Sequence, residues 1–197
     1  MKIYIQNMVC LCCKMTLAQE LNKMGIEYKH LELGEVTLTK PFSKRQRETL
    51  RQNLHEYGLE LMDDKKAILV ERIVNIIIKM VHQDEEVPVI NFSTFLTNEL
   101  NQDYHSMSTL FSKTKGITIE HFIILNKIER VKELIMYDEL SLTEISYKLN
   151  YSSVAHLSNQ FKKITGLTPT FFKNIKNKKR IPLENLIEAD LQSNPIL

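Results

Sequence analysis

The apolar residues change period part-way along the chain. In residues 2–7, Ile3 and Ile5 alternate with polar neighbours, as in a half-buried strand. Over residues 13–24, Leu17, Ala18, Leu21 and Met24 recur at helical spacing, and Gly25 stands where a helix stops in the left-handed region. Residues 28–33 and 36–38 read as strands around Gly34-Glu35, a hairpin signal because glycine accepts positive φ. Ser43 then caps a second helix with Leu50 and Leu54 on one face, and Gly58 ends it before a short strand over 59–62. This β-α-β-β-α-β order predicts a ferredoxin-like domain over residues 1–63, with both helices on one side of a four-stranded sheet.

From residue 66 onward apolar residues fall three and four apart. Leu69, Ile73, Ile76, Ile77 and Met80 predict one long helix over 66–81, broken by Asp84-Glu85-Glu86-Val87-Pro88. Asn91 starts a short helix carrying Phe92, Phe95, Leu96 and Leu100. Helices and short polar turns continue to residue 180, and Pro182 and Pro195 punctuate what is expected to be a loosely held tail over 181–197. The fold class is therefore α+β: the small sheet domain, then an all-α domain over 64–180.

Two stretches of that helical domain, 91–116 and 141–166, repeat one plan at an offset of roughly fifty residues. In the second, Leu142, Ile145 and Leu149 line a first helix, Asn150-Tyr151-Ser152-Ser153 makes the turn, Leu157 and Phe161 anchor a second helix, and Gly166 stops it. In the first, Phe95 and Leu100 take the inner role, Asp103-Tyr104-His105-Ser106 the turn, Met107 and Phe111 the anchors and Gly116 the stop. Phe122, Leu125, Ile128, Val131, Leu134 and Ile135 predict a continuous helix between the two.

Charge adds a partner. The net +2 conceals thirteen basic against fifteen acidic residues over 1–104, and thirteen against six over 105–180. A basic excess confined to one part of a chain suits phosphate binding, although solvated surface charge is its common alternative. Asn126-Lys127-Ile128-Glu129-Arg130-Val131-Lys132-Glu133-Leu134, Ser141-Leu142-Thr143-Glu144-Ile145, Ser152-Ser153, Leu157, Phe161-Lys162-Lys163 and Gly166-Leu167-Thr168-Pro169 together resemble the DNA-binding domain of the AraC/XylS family over roughly residues 68–177. Asn150 stands where that family usually has glycine, and Leu157 where an aromatic is common.

The resemblance implies a bacterial transcription regulator, activator or repressor, whose two recognition helices enter successive major grooves of double-stranded DNA, where all four base pairs are distinguishable. Ala155, His156, Ser158 and Asn159 align with the family's base-facing positions, and Asn159 is suited to bidentate pairing with adenine. Their counterparts are His105, Ser106, Ser108 and Thr109, short and polar, which suggests weaker or shape-based readout. Lys113, Lys162, Lys163 and the basic run 173–180 are candidate phosphate contacts.

The three cysteines, Cys10, Cys12 and Cys13, lie together between the first strand and first helix, so they are no disulfide framework. A helix N-terminus favours thiolate, and on that ground Cys13 and Cys10 should deprotonate more easily than free thiols. Met8-Val9-Cys10-Leu11-Cys12-Cys13 resembles the turn of heavy-metal-associated domains, which implies that Cys10 and Cys13 hold a soft ion: Cu(I) by softness, or Zn(II) if Cys12 or a partner completes four ligands. Asn7 and Val9 replace that family's usual Gly and Thr, and Met8 reads as core. A reversible redox pair and a purely structural or dimerising domain remain rivals. The expected coupling element is the helix over 66–81, with homodimerisation through it an open alternative. DNA binding itself calls for no cofactor. An enzymatic role, as a cysteine-based DNA-repair alkyl transferase or thiol oxidoreductase, fits poorly because no second cysteine cluster or catalytic constellation accompanies the thiols. With no membrane span and no leader pattern, the expected compartment is the cytoplasm.

Overall fold

Ile3 and Ile5 lie on one face of β1 (Lys2–Gln6) and are buried, while Tyr4 between them is only half-buried. The computed structural model describes residues 1–82, 91–175 and 180–193, and its contacts divide into two compact units, Met1–Asn75 and Ile76–Leu197. In the first unit, α1 (Leu11–Lys23), β2 (Tyr28–Glu32), β3 (Glu35–Leu38), α2 (Lys44–His55) and β4 (Glu60–Met62) follow β1 in the expected order. The sheet is antiparallel throughout, in the order β2-β3-β1-β4, with Ile3 opposite Val36 and Ile5 opposite Leu61. Leu17 and Leu21 of α1 and Leu50 and Leu54 of α2 join these strand residues in one core that also holds Met8. Ser43 and Gln46 close a reciprocal capping box on α2, satisfying N–H groups that the first helical turn leaves without partners.

Gly34, at the β2–β3 turn, has two reasons to be glycine. Its φ is +76°, and a Cβ there would stand 2.0 Å from Asn75 Nδ2. Asn75 lies on α3 (Lys65–His82), the long helix expected over 66–81, and the division between the two units falls within it. The expected break over 84–88 lies outside the described residues.

The second unit is helical among its described residues: α4 (Phe92–Leu100), α5 (Tyr104–Lys115), α6 (Ile119–Tyr137), α7 (Leu142–Lys148), α8 (Val154–Thr165), α9 (Pro169–Asn174) and α10 (Leu186–Ser193). α6 is its axis, packed on by α5, α7, α8, α9 and α10. That surround buries polar side chains as well as the expected stripe: Asn126, Glu129, Arg130 and Lys132 are all inside. The three charged ones are paired, as buried charge requires. Lys132 bonds Glu129, Arg130 Nη1 donates to Glu133 Oε2 at 2.7 Å, and the Ile181 backbone N–H donates to Glu129 Oε2 at 3.1 Å.

The region expected to be a loose tail over 181–197 differs. Leu183–Asn185 is a 3-10 turn leading into α10, Leu186 is buried, and His121 Nε2 lies 2.8 Å from Asp190 Oδ2. Pro195 lies outside the described residues. Among the described residues no helix is long and apolar enough to cross a membrane.

Candidate nucleic-acid interface

Two helix-turn-helix units stand on either side of α6, and their second helices match position for position at an offset of fifty. Asp103 caps α5 by accepting from the Ser106 N–H, and Ser153 caps α8 by accepting from the His156 N–H at 3.1 Å. Met107 and Phe111 are buried in one, Leu157 and Phe161 in the other. Gly116 (φ +76°) and Gly166 (φ +75°) end the helices in the left-handed conformation, which a Cβ disfavours. The register continues beyond the helices: Thr118 and Thr168 cap α6 and α9, and Phe111 and Phe161 pack on Phe122 and Phe172 at 5.7 and 5.5 Å between ring centroids.

The first helices match at an offset of forty-nine, Leu96 and Leu100 against Ile145 and Leu149. The second turn is therefore one residue longer. Both turns use a left-handed asparagine, Asn101 (φ 50°) and Asn150 (φ 52°), whose short polar side chain tolerates that region; the residue standing in for glycine thus keeps the turn. The extra residue is Tyr151, buried, with its hydroxyl donating to Gln160 Oε1 at 2.8 Å.

Two expectations about the first unit are corrected. Its turn is Asn101-Gln102-Asp103 rather than residues 103–106, because Asp103 is the cap and Tyr104 to Ser106 already belong to α5. Its inner residue is Leu96, fully buried, whereas Phe95 is only half-buried.

Helix phase places His105, Ser106, Thr109 and Lys113 on the exposed face of α5, and Ala155, His156, Asn159, Lys162 and Lys163 on that of α8. Ser108 and Ser158 are half-buried and sit toward the edge of those faces. Lys113 and Lys163 occupy equivalent positions. His156 is tethered: its Nδ1 lies 3.0 Å from Ser152 Oγ and its ring meets Tyr151 edge-on at 5.3 Å. The ends of the basic run are also engaged. Lys173 Nζ lies 2.5 Å from Asp138 Oδ1, and Arg180 pairs with Glu133 at 3.3 Å; residues 176–179 lie outside the described residues. Lys127 and Tyr151 meet beside these faces, with Lys127 Nζ 5.1 Å from the tyrosine ring centroid. No sequence signal separates Lys127 from the other lysines of the basic half.

The cysteine turn belongs to the first unit. Cys10 is the N-cap of α1, which starts two residues before the expected position, and Cys10 Sγ lies 3.2 Å from Cys13 Sγ; Cys12 is exposed. Asn7 (φ 64°) shapes the approach, its N–H donating to Glu71 Oε1 at 3.0 Å and its Nδ2 to the Gly58 carbonyl at 3.1 Å. Burial raises the Cys10 thiol, but hydrogen bonds from the backbone and thiol of Cys13, and from Cys12, outweigh it and leave Cys10 below a free thiol's range. Cys13 goes the other way from expectation: burial and the bond to Cys10 push it up. Among the described residues no three His, Cys, Asp or Glu side chains cluster as a metal site.

Residues 96–175 match the family described as helix-turn-helix domain. The F1 operon positive regulatory protein of Yersinia pestis is 30% identical over 109 residues, covering 55% of this chain and 36% of that protein. The probable transcriptional regulator LumQ of Photobacterium leiognathi is 26% identical over 125 residues, covering 62% of this chain and 48% of that one. The chain thus spans less than half the length of either curated relative. The C-terminal domain of AraT, a response regulator from Geobacillus stearothermophilus, aligns over 60% of this chain and 92% of that chain, with a TM-score of 0.49 at 22% identity. The matched residues 96–175 take in most of the two helix-turn-helix units that stand around α6.

Proposed function

We propose that the chain is a DNA-binding transcription regulator of the AraC/XylS type, with α5 and α8 entering successive major grooves on one face of the duplex. One observation carries the reading: two helix-turn-helix units share cap, anchors, stop and an outward lysine in register, so both present a polar face on a fixed frame. The relatives' names, a positive regulatory protein and a transcriptional regulator, support it. In this reading Asn159, with Ala155 and His156, selects bases through α8. His105, Ser106 and Thr109 make the weaker contacts of α5, and Lys113, Lys162 and Lys163 hold phosphates. The test is duplex affinity measured on a selected sequence and on scrambled DNA. Asn159→Ala should lose about 1–3 kcal/mol on the selected sequence only, and Lys162→Ala should weaken both alike. Equal effects of both substitutions on every sequence would remove the base-reading assignment.

For the first unit we propose a ferredoxin-like domain, a reading its strand order supports, in which Cys10 and Cys13 form the effector site. The donor set fits a soft ion held by two thiolates and lacks the four ligands of a structural zinc site among the described residues, so Cu(I) is favoured. Cys10 and Cys13 would hold that ion, which supplies a bridge pinning the first turn of α1. The Asn7–Glu71 hydrogen bond ties the same turn to α3 and supports α3 as the element that responds. Reduced protein should retain Cu(I) against a competing chelator, and a Cys10→Ser, Cys13→Ser variant should not. Equal retention of both Cu(I) and Zn(II) by the two proteins would end the metal-sensor reading and leave the redox pair as the effector hypothesis.

A further inference from the structure

Between the two helix-turn-helix units, the N-terminal half of α6, from Glu120 to Lys127, lines a cleft of about 720 Å³. Phe92 and Tyr104, at the starts of α4 and α5, line it together with Tyr151 and His156 from the second unit's turn and α8. Several of its polar groups are already engaged. The Tyr104 hydroxyl donates to Glu120 Oε1 at 2.5 Å, Tyr151 bonds Gln160, and His156 bonds Ser152. Lys127 differs. Its Nζ stands 5.7 Å from the Phe92 ring centroid and 5.1 Å from that of Tyr151, and it forms no ion pair among the described residues. Burial holds its pKa down, and no neighbouring acid offsets that effect. A half-buried ammonium steadied by two ring faces, without a counter-ion, is a cation arranged for an anion from outside.

The position of the cleft says which anion. When two helices of one unit enter successive major grooves, the duplex presents the intervening minor groove to the surface between them, flanked by its two sugar-phosphate strands. The cleft rim carries His156, on the exposed face of α8, and Tyr104, adjacent to His105 on that of α5. We propose that Lys127 binds a phosphodiester of the DNA strand running between the two grooves, fixing the spacing at which α5 and α8 read. This rests on the DNA-binding reading above. A phosphate there supplies the negative charge that the cleft lacks at Lys127, and the aromatic contacts restrict the long side chain before DNA arrives, reducing the ordering cost. The contact positions the duplex and carries no sequence information.

The experiment is a salt titration of duplex affinity, between about 50 and 200 mM salt, for wild type, Lys127→Gln and Lys127→Arg. Selected and scrambled duplexes are measured side by side. Lys127→Gln should weaken both about tenfold and reduce the slope of log K against log salt by about 0.9, the signature of one lost phosphate contact. Lys127→Arg should keep the wild-type slope. A Gln variant that weakens with an unchanged slope would show a packing role and overturn the proposal, as would a Gln variant identical to a wild type that binds DNA with ordinary salt dependence. Failure of the wild type to bind any duplex would overturn the DNA reading itself, and this proposal with it.

Discussion

His82, at the end of α3, should make the stability of the helical unit depend on mild acid. Its side chain is 14% exposed, its Nδ1 lies 3.7 Å from Glu133 Oε2, and its Nε2 is buried without a hydrogen-bond partner among the described residues. Burial is the largest influence and lowers its pKa; Glu133 opposes it, Arg130 and Arg180 reinforce it, and the result is a value of about 4. The unfolded chain titrates this histidine near 6.5, so between those two values the unfolded state binds more protons than the folded state, and stability falls as pH drops. At pH 7 the penalty is small, and at pH 5 it has grown to about 2 kcal/mol, approaching its limit as the pH passes 4. Urea denaturation followed by circular dichroism at pH 7 and pH 5 should therefore show wild type losing about 2 kcal/mol more than His82→Gln. A ring titration by NMR supplies the second readout. Parallel losses in the two proteins, together with a His82 midpoint near 6.5, would refute the assignment of the acid sensitivity to this group.

Two further outcomes follow from local geometry. Gly34→Ala should destabilise the first unit by more than the roughly 1–2 kcal/mol expected for an L-residue at positive φ, because its methyl group must also displace Asn75; a denaturation midpoint equal to wild type would contradict this. Alkylation at a pH below the ordinary thiol range should modify Cys10 ahead of Cys13, as mapped by peptide mass spectrometry, because the two thiols shift in opposite directions; the reverse order would show the opposite charge distribution.

The elements were legible where one face of a segment is buried, because burial then writes its period into the sequence. That held for β1 and for α8, where Leu157 and Phe161 mark the inner face. It failed at the first turn. Tyr104, His105 and Ser106 are as polar as a loop because they open α5 where little of the helix is buried, and composition does not separate such a helix start from a turn. It held for α6 as an element too, since the whole expected stripe is buried, but not for its far side, where five packed helices also bury Asn126, Glu129 and Lys132. The pairing of Arg180 with Glu133 and of Lys173 with Asp138 joins residues 35 and more positions apart, so these ion pairs were not visible in the local sequence.

The fifty-residue register has a consequence for how such a protein changes. Caps, anchors and stops coincide in α5 and α8, whereas His105, Ser106 and Thr109 share no identity with Ala155, His156 and Asn159. Folding instructions and the proposed reading letters therefore occupy separate positions of the same helix. A lineage can rewrite the second set without disturbing the first, and an engineer can exchange outward residues between the units, or graft new ones, on a scaffold that already tolerates two different texts.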